Sequence, residues 1–214
     1  MTSWLNITFA EFDRTLLEFF HEFALKCGDV LTPIAKFLSV TCDLSLLMIG
    51  WLGFVLFFVV KDKKLGMSMC GTVIIGAFLV TIVIKNIVYR PRPYVEVDMY
   101  KSWWEMFKMK ADWDTSFPSG HACASMGGVT AFFMWSKKKK VAWLAFVYPL
   151  IIGACRLYLC VHYPSDILFG YLCGIASAFI CIPCVKLIYF LMNKFPNNFF
   201  SRYCLTGTIK EQGK

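Results

Sequence analysis

The chain has 214 residues, enough for one domain or two small ones. Hydrophobic residues make up 58% and charged residues 17%, with a mean hydropathy of +0.59, whereas a soluble domain carries about 25% charged residues. This excludes a disordered chain, a collagen and a small disulfide scaffold. It leaves a membrane protein of several helices. The net charge of +8 raises nucleic-acid binding as a class. The cations are split among short loops with little room for a folded basic surface, which argues against it.

Residues 1–42 carry Glu11, Asp13, Glu18, Glu22 and Asp29, with Asp43 just beyond, against Arg14, Lys26 and Lys36. They lack a basic start followed by an apolar core, so no signal peptide is expected. Over residues 15–38 apolar side chains recur at helical spacing among too many charges to cross a bilayer. This predicts one or two amphipathic helices lying at the outer interface, with a sixth span as the alternative. Asn6-Ile7-Thr8 matches a glycosylation acceptor, a triplet common by chance.

Crossing a bilayer takes roughly 17–25 helical residues. Five segments qualify, at about 43–60, 65–89, 118–135, 141–160 and 165–192. The predicted fold is an all-α polytopic membrane helix bundle with five transmembrane helices, six in the alternative. It forms a single membrane domain over 1–214: interfacial helices in 1–42, a transmembrane core in 43–193 and a cytoplasmic tail in 194–214. The first span ends at Lys61-Asp62-Lys63-Lys64, and Lys137-Lys138-Lys139-Lys140 separates the third from the fourth. Lys194, Arg202, Lys210 and Lys214 follow the fifth. Threading five spans back and forth puts all three basic places on one side. A Lys or Arg dragged to mid-bilayer costs about 2.5–3.5 kcal/mol, so basic short loops stay in the cytoplasm. Residues 1–42, the 90–118 loop and the 160–165 turn then face outward. Trp103, Trp104 and Trp113 in that loop suit either a headgroup-level belt or ordinary loop packing. Among the ten cysteines, Cys70, Cys123, Cys173, Cys181 and Cys184 lie in apolar runs and read as small hydrophobes. Cys181 and Cys184 form a CxxC with no strand pattern nearby, so no redox or zinc role is expected. No internal repeat is visible.

Polar residues gather on the outward face. Lys85 ends the second span and is followed by Arg90-Pro91-Arg92-Pro93. Pro118-Ser119-Gly120-His121 opens the third, Arg156 ends the fourth, His162 lies in the next turn and Asp166 opens the fifth. Of three histidines, His121 and His162 belong to this group and His21 does not. Fixed cations beside a helix start describe an anion site, because the first turn of a helix presents unpaired N–H groups and a positive dipole end. Gly120 lets a backbone approach an oxyanion closely. Arg suits bidentate contact with phosphate and Lys supplies a point charge. Asp166, four residues after His162, can fix its tautomer and make the other ring nitrogen a nucleophile or base. His121 can protonate a leaving oxygen. Taken singly, each has an ordinary reading: a snorkelling anchor, a helix-start hydrogen bond, a basic turn, or a His–Asp pair that binds a metal or does nothing. The weight lies in their arrival together on one face.

These residues resemble a known family. Lys85, six residues, Arg92-Pro93; Pro118-Ser119-Gly120-His121; and Arg156, five residues, His162, three residues, Asp166 are similar to the three-part motif of the type-2 phosphatidic acid phosphatases. That family also includes vanadium haloperoxidases, glucose-6-phosphatase and bacterial undecaprenyl-diphosphate phosphatases. The motif covers 85–166, and the arrangement of spans extends the likeness to about 10–192. The resemblance implies that Lys85, Arg92, Ser119, Gly120 and Arg156 hold phosphate and that His162 attacks phosphorus to give a phosphohistidine. It further implies that Asp166 orients His162, that His121 protonates the leaving group, and that neither metal nor cofactor is needed. Two features depart from the family: Cys155 stands where Ser is usual before the second motif Arg, and five spans are counted where six are common.

Three functions follow. The first is a membrane phosphatase for a lipid phosphate or diphosphate at the extracytoplasmic face of the cell membrane. Its expected substrate is undecaprenyl diphosphate, a cell-wall lipid carrier, with phosphatidylglycerophosphate or phosphatidic acid as alternatives. The second is a phosphotransferase on the same scaffold. The third, of another class, is a catalytically silent lipid-binding protein. The expected partners are a lipid phosphate and membrane lipids, with no nucleic acid.

Overall fold

A computed structural model of the protein describes residues 2–43, 45–58, 62–112, 114–196 and 199–205. Lys61, Trp113, Lys210, Lys214 and the side chain of Asp43 lie outside the described residues. Among the described residues the regular elements are all helical.

Helical runs cover each of the five apolar segments: Ser45–Phe58, Lys63–Ile87, Gly120–Trp135, Lys139–Tyr158 and Pro164–Lys194. Three of them, Lys63–Ile87, Lys139–Tyr158 and Pro164–Lys194, are long and apolar enough to cross a membrane. Ser45–Phe58 has 14 residues and Gly120–Trp135 has 16. Local chemistry sets the starts. The Asp62 side chain accepts from the Leu65 N–H at 3.3 Å, satisfying a donor that the first helical turn leaves unpaired. Ser119 caps Gly120–Trp135 through the Ala122 N–H. Pro164 occupies the first turn of the last helix, where a missing N–H costs nothing.

The Gly120–Trp135 helix is the hub, with every residue from Ala122 to Ala131 buried. It packs closely on the last helix because two glycines face it. A Cβ on Gly170 would lie 2.6 Å from the Ser119 carbonyl oxygen, and one on Gly174 would lie 2.3 Å from that of Cys123. Small residues let the two backbones touch, as is common where helices pack within a bilayer. That contact brings Ser119 against the start of the last helix.

The amino-terminal region differs from expectation in extent. A short helix, Thr2–Thr8, precedes one 34-residue helix, Ala10–Asp43, that continues through Pro33. Its Phe20, Ala24, Leu31 and Ala35 pack with Tyr158, Leu159 and Val161, and the Thr32 and Tyr158 hydroxyls are 2.8 Å apart. In the loop before the Gly120–Trp135 helix Trp103 stacks on His21 at 4.1 Å and Trp104 on Tyr94 at 4.4 Å, so both indoles are packed within the fold. Cys181 and Cys184 are free thiols, the first buried and the second exposed.

Candidate active site

His162 sits in the turn between Lys139–Tyr158 and Pro164–Lys194 and is 1% exposed. Burial drives its pKa well below the ordinary imidazole value, and the charges of Arg92, Arg156, Lys85 and His121 push it down further. Residues from three separated stretches of sequence therefore bear on one ring. The turn that carries it is fixed by backbone bonds from Leu159 N–H to Cys155 O at 3.0 Å and from Val161 N–H to Arg156 O at 3.2 Å.

Asp166 lies beneath the ring. Its Oδ2 is 3.6 Å from His162 Nδ1, too far for a direct hydrogen bond. The Ser116 hydroxyl stands between them, 2.5 Å from Asp166 Oδ2 and 3.3 Å from His162 Nδ1. Asp166 Oδ2 also accepts from the Tyr163 N–H at 2.8 Å, and its Oδ1 accepts from Arg90 Nη1 at 2.8 Å. This carboxylate is held on several sides, so the contact through which it can orient His162 is fixed in direction.

Arg90, which the sequence offered only as part of a basic turn, is 1% exposed and ties three regions together. Its Nη1 donates to Ser165 Oγ at 2.7 Å, Nη2 to Asp13 Oδ2 at 2.8 Å and Nε to Asn6 Oδ1 at 3.0 Å. The guanidinium carbon lies 3.8 Å from the centre of the Tyr163 ring. Asp13 in turn accepts from the Ser165 N–H at 2.8 Å and hydroxyl at 2.7 Å. Asn6, the would-be glycosylation acceptor, donates to Glu96 Oε1 at 2.9 Å.

The cations form a cup. The change from α to π geometry over Phe78–Ile84 precedes Lys85, whose N–H bonds Val80 O. Its Nζ donates to Thr115 O at 2.7 Å and to Asp114. Arg92 Nη1 donates to Val161 O at 2.9 Å, anchoring the guanidinium to the turn that holds His162. Arg156 reaches Asp112 Oδ2 at 3.3 Å. Asp112 Oδ2 also pairs with Arg92 Nη1 at 2.8 Å, while Asp114 Oδ1 pairs with Arg92 Nη2 at 2.5 Å. Burial pushes the Asp114 acid up, but the Lys85 hydrogen bond and the Arg92 charge outweigh it and hold it below the usual carboxylate value.

The start of Gly120–Trp135 completes the site. The Ser119 N–H is committed to the Asp166 carbonyl at 3.0 Å, so the donors that helix geometry leaves for an anion are those of Gly120 and His121. A Cβ on Gly120 would meet no atom within 4 Å, so this helix start faces open space. Cys155 is a half-buried free thiol beside Arg156. Among the described residues, no three His, Cys, Asp or Glu side chains are grouped as a metal site.

The residues that sequence reasoning missed are Ser116, Asp13, Asp112 and Asp114, together with the structural part played by Arg90. One signal could have found the acids: three cations drawn into a buried place require counter-charges, and the 94–117 loop supplies them.

The chain is 37% identical over 65 residues to the bacitracin transport permease protein BcrC of Bacillus licheniformis, a match covering 30% of this chain and 31% of that protein. It therefore spans less than a third of that relative's length. No solved structure matches. The family model of the PAP2 superfamily matches residues 65–189, more than half of the chain and the whole stretch from Lys85 to Asp166; the protein belongs to this superfamily.

Proposed function

We propose that this membrane phosphatase removes phosphate from a lipid phosphate or diphosphate through a phosphohistidine at His162. The observation that carries the reading is the convergence of Lys85, Arg92, Arg156 and His121 on a buried, uncharged imidazole. The cations and the N–H groups of Gly120 and His121 hold the phosphoryl oxygens, with the Ser119 hydroxyl at the same helix start. His162 attacks phosphorus through the nitrogen remote from Asp166, forming an N–P bond as the P–O bond to the lipid breaks. His121 gives its proton to the departing oxygen, then accepts one from the water that cleaves the N–P bond. Asp166, with Ser116 between, fixes the His162 ring. No metal enters this scheme.

The site faces the extracytoplasmic side of the cell membrane, supported by the basic residues at the opposite helix ends. Five spans satisfy that threading; a sixth would be formed by the amino-terminal helix. An outward mouth and the resemblance of the motif residues to those of bacterial undecaprenyl-diphosphate phosphatases support undecaprenyl diphosphate as substrate. A phosphate-release panel in detergent with EDTA tests this. It would compare undecaprenyl diphosphate, undecaprenyl phosphate, phosphatidylglycerophosphate and phosphatidic acid. Undecaprenyl diphosphate is expected to be turned over fastest and to be unaffected by EDTA. Preference for either phosphoglycerolipid would move the assignment to that lipid, and transfer of phosphate to an added alcohol would make the protein a transferase.

The depressed pKa of His162 has a direct kinetic consequence. The nucleophile must be neutral, and it stays neutral to a pH below the ordinary imidazole value of about 6.5. In a pH profile of kcat/KM, activity is expected to hold through pH 6.5 and fall only at lower pH. Removing the positive charge of Arg156 should move the acid limb upward. An acid limb already at or above pH 6.5 in the unmodified protein, with the substrate's own ionisation at about pH 6 accounted for, would mean that the His162 imidazole is not held below its ordinary value.

A further inference from the structure

Three oxygens sit on three cations at the mouth of the cup. Asp112 Oδ2 bridges Arg92 and Arg156, Asp114 Oδ1 contacts Arg92, and Asp114 Oδ2 contacts Lys85. A transferring phosphoryl group also carries three terminal oxygens. The charge corresponds as well: two carboxylates bring two negative charges, and a phosphate monoester carries about −1.5 to −2 at neutral pH. The layering is asymmetric. The Lys85, Arg92 and Arg156 side chains are 10%, 5% and 2% exposed, whereas those of Asp112 and Asp114 are 36% and 34% exposed. The acids thus lie on the solvent side of the cations, where an arriving anion meets them first.

The loop's backbone is anchored independently of those carboxylates. The Asp112 N–H donates to the Tyr94 hydroxyl at 3.1 Å, the Ser116 N–H donates to Arg90 O at 2.8 Å, and Arg92 Nε donates to Asp114 O at 3.1 Å. Rotation of two aspartate side chains would clear the cations while the chain stays in place.

Resting on the reading that Lys85, Arg92 and Arg156 hold phosphate, we infer that Asp112 and Asp114 form an internal anion that competes with phosphate for the cup and sets its affinity. The competition weakens every phosphate compound by the same displacement. A lipid phosphate recovers the loss through its tail, which lies between helices. Inorganic phosphate has no tail, so it is bound weakly and released quickly after hydrolysis. The pair thus leaves the ratio of the two affinities unchanged but lowers both, so that the product, held only by the shared phosphate, does not accumulate in the cup.

The test uses the full chain in detergent with orthovanadate and inorganic phosphate as probes. Binding is read by calorimetric titration and by inhibition of lipid-phosphate hydrolysis in Asp112→Asn, Asp114→Asn and the double variant. Asparagine keeps the shape and removes the charge, leaving three buried cations without their counter-ions. Both probes are expected to bind at least about 10-fold more tightly to the double variant, with intermediate gains in the single ones, and product inhibition should deepen in parallel. Unchanged or weaker binding would overturn the inference by making the acids positioning groups for the cations. Failure of all three variants to fold would overturn it by making them structural. Arg92→Ala separates this from the underlying assignment: it should abolish vanadate binding. If it does not, the cup itself has been misassigned, whatever the aspartate variants do.

Discussion

His162→Ala is expected to lower phosphate release by roughly 10⁴–10⁶-fold, the loss seen when a covalent nucleophile is deleted and only substrate binding and charge stabilisation remain. His121→Ala should be less severe, about 10²–10⁴-fold, because it removes a proton donor and leaves the attack intact. The two are distinguished by the leaving group. An aryl phosphate departs without protonation, so it should restore much of the activity of His121→Ala and none of that of His162→Ala. His162 is fully buried, so the fold of His162→Ala is checked by thermal unfolding before its activity is read, whereas His121 sits in the first turn of its helix. Equal rescue of both variants by the aryl ester would overturn the division of roles.

The second large effect concerns stability. Arg90→Ala would leave Asp13 and Asp166, both almost fully buried, without the guanidinium that neutralises them. Breaking a buried ion pair by removing one partner costs about 3–5 kcal/mol, since the remaining charge cannot be rehydrated. Thermal unfolding in detergent should show a drop of that size. Arg90→Lys should recover only part of it, because an ammonium cannot donate at once to Asn6, Ser165, Asp13 and Asp166 in the directions the planar fork provides. Asp13→Asn tests the same network from its other end and should be milder, since the asparagine Oδ1 can still accept from the Ser165 N–H. A melting temperature unchanged in Arg90→Ala would mean that the network contributes nothing net.

Much of this was legible in the chain because a bilayer imposes length and apolarity on whatever crosses it. Helical runs lie over all five apolar segments, and the residues that bear on His162 come from the motifs that suggested them. What escaped notice depended on distance in sequence. Asp13 reads as one acid among several on an amphipathic stretch, and nothing nearby announces that its partners are Arg90 and Ser165. Ser116 lies three residues before the motif serine and carries no pattern of its own. The direct His162–Asp166 contact suggested by four-residue spacing is replaced by one with a hydroxyl inserted, because Asp166 turns to cap its own helix through the Tyr163 N–H. The length of the amino-terminal helix was obscured by Pro33 and by its charges, which lower hydropathy without preventing helix formation.

The link from Asp13 to Arg90 and Ser165 also orders biosynthesis. A ribosome makes Asp13 first, yet 77 residues separate it from the guanidinium and 152 from the serine that complete its bonds. Until the last long helix has been inserted, the Ala10–Asp43 helix can reach Arg90 and Tyr158 but lacks the Ser165 bonds that close the Asp13 network. A nascent chain halted before residue 165 should accordingly leave its amino-terminal helix more open to proteases than the finished chain does, and that final insertion is the event that completes the Asp13 network.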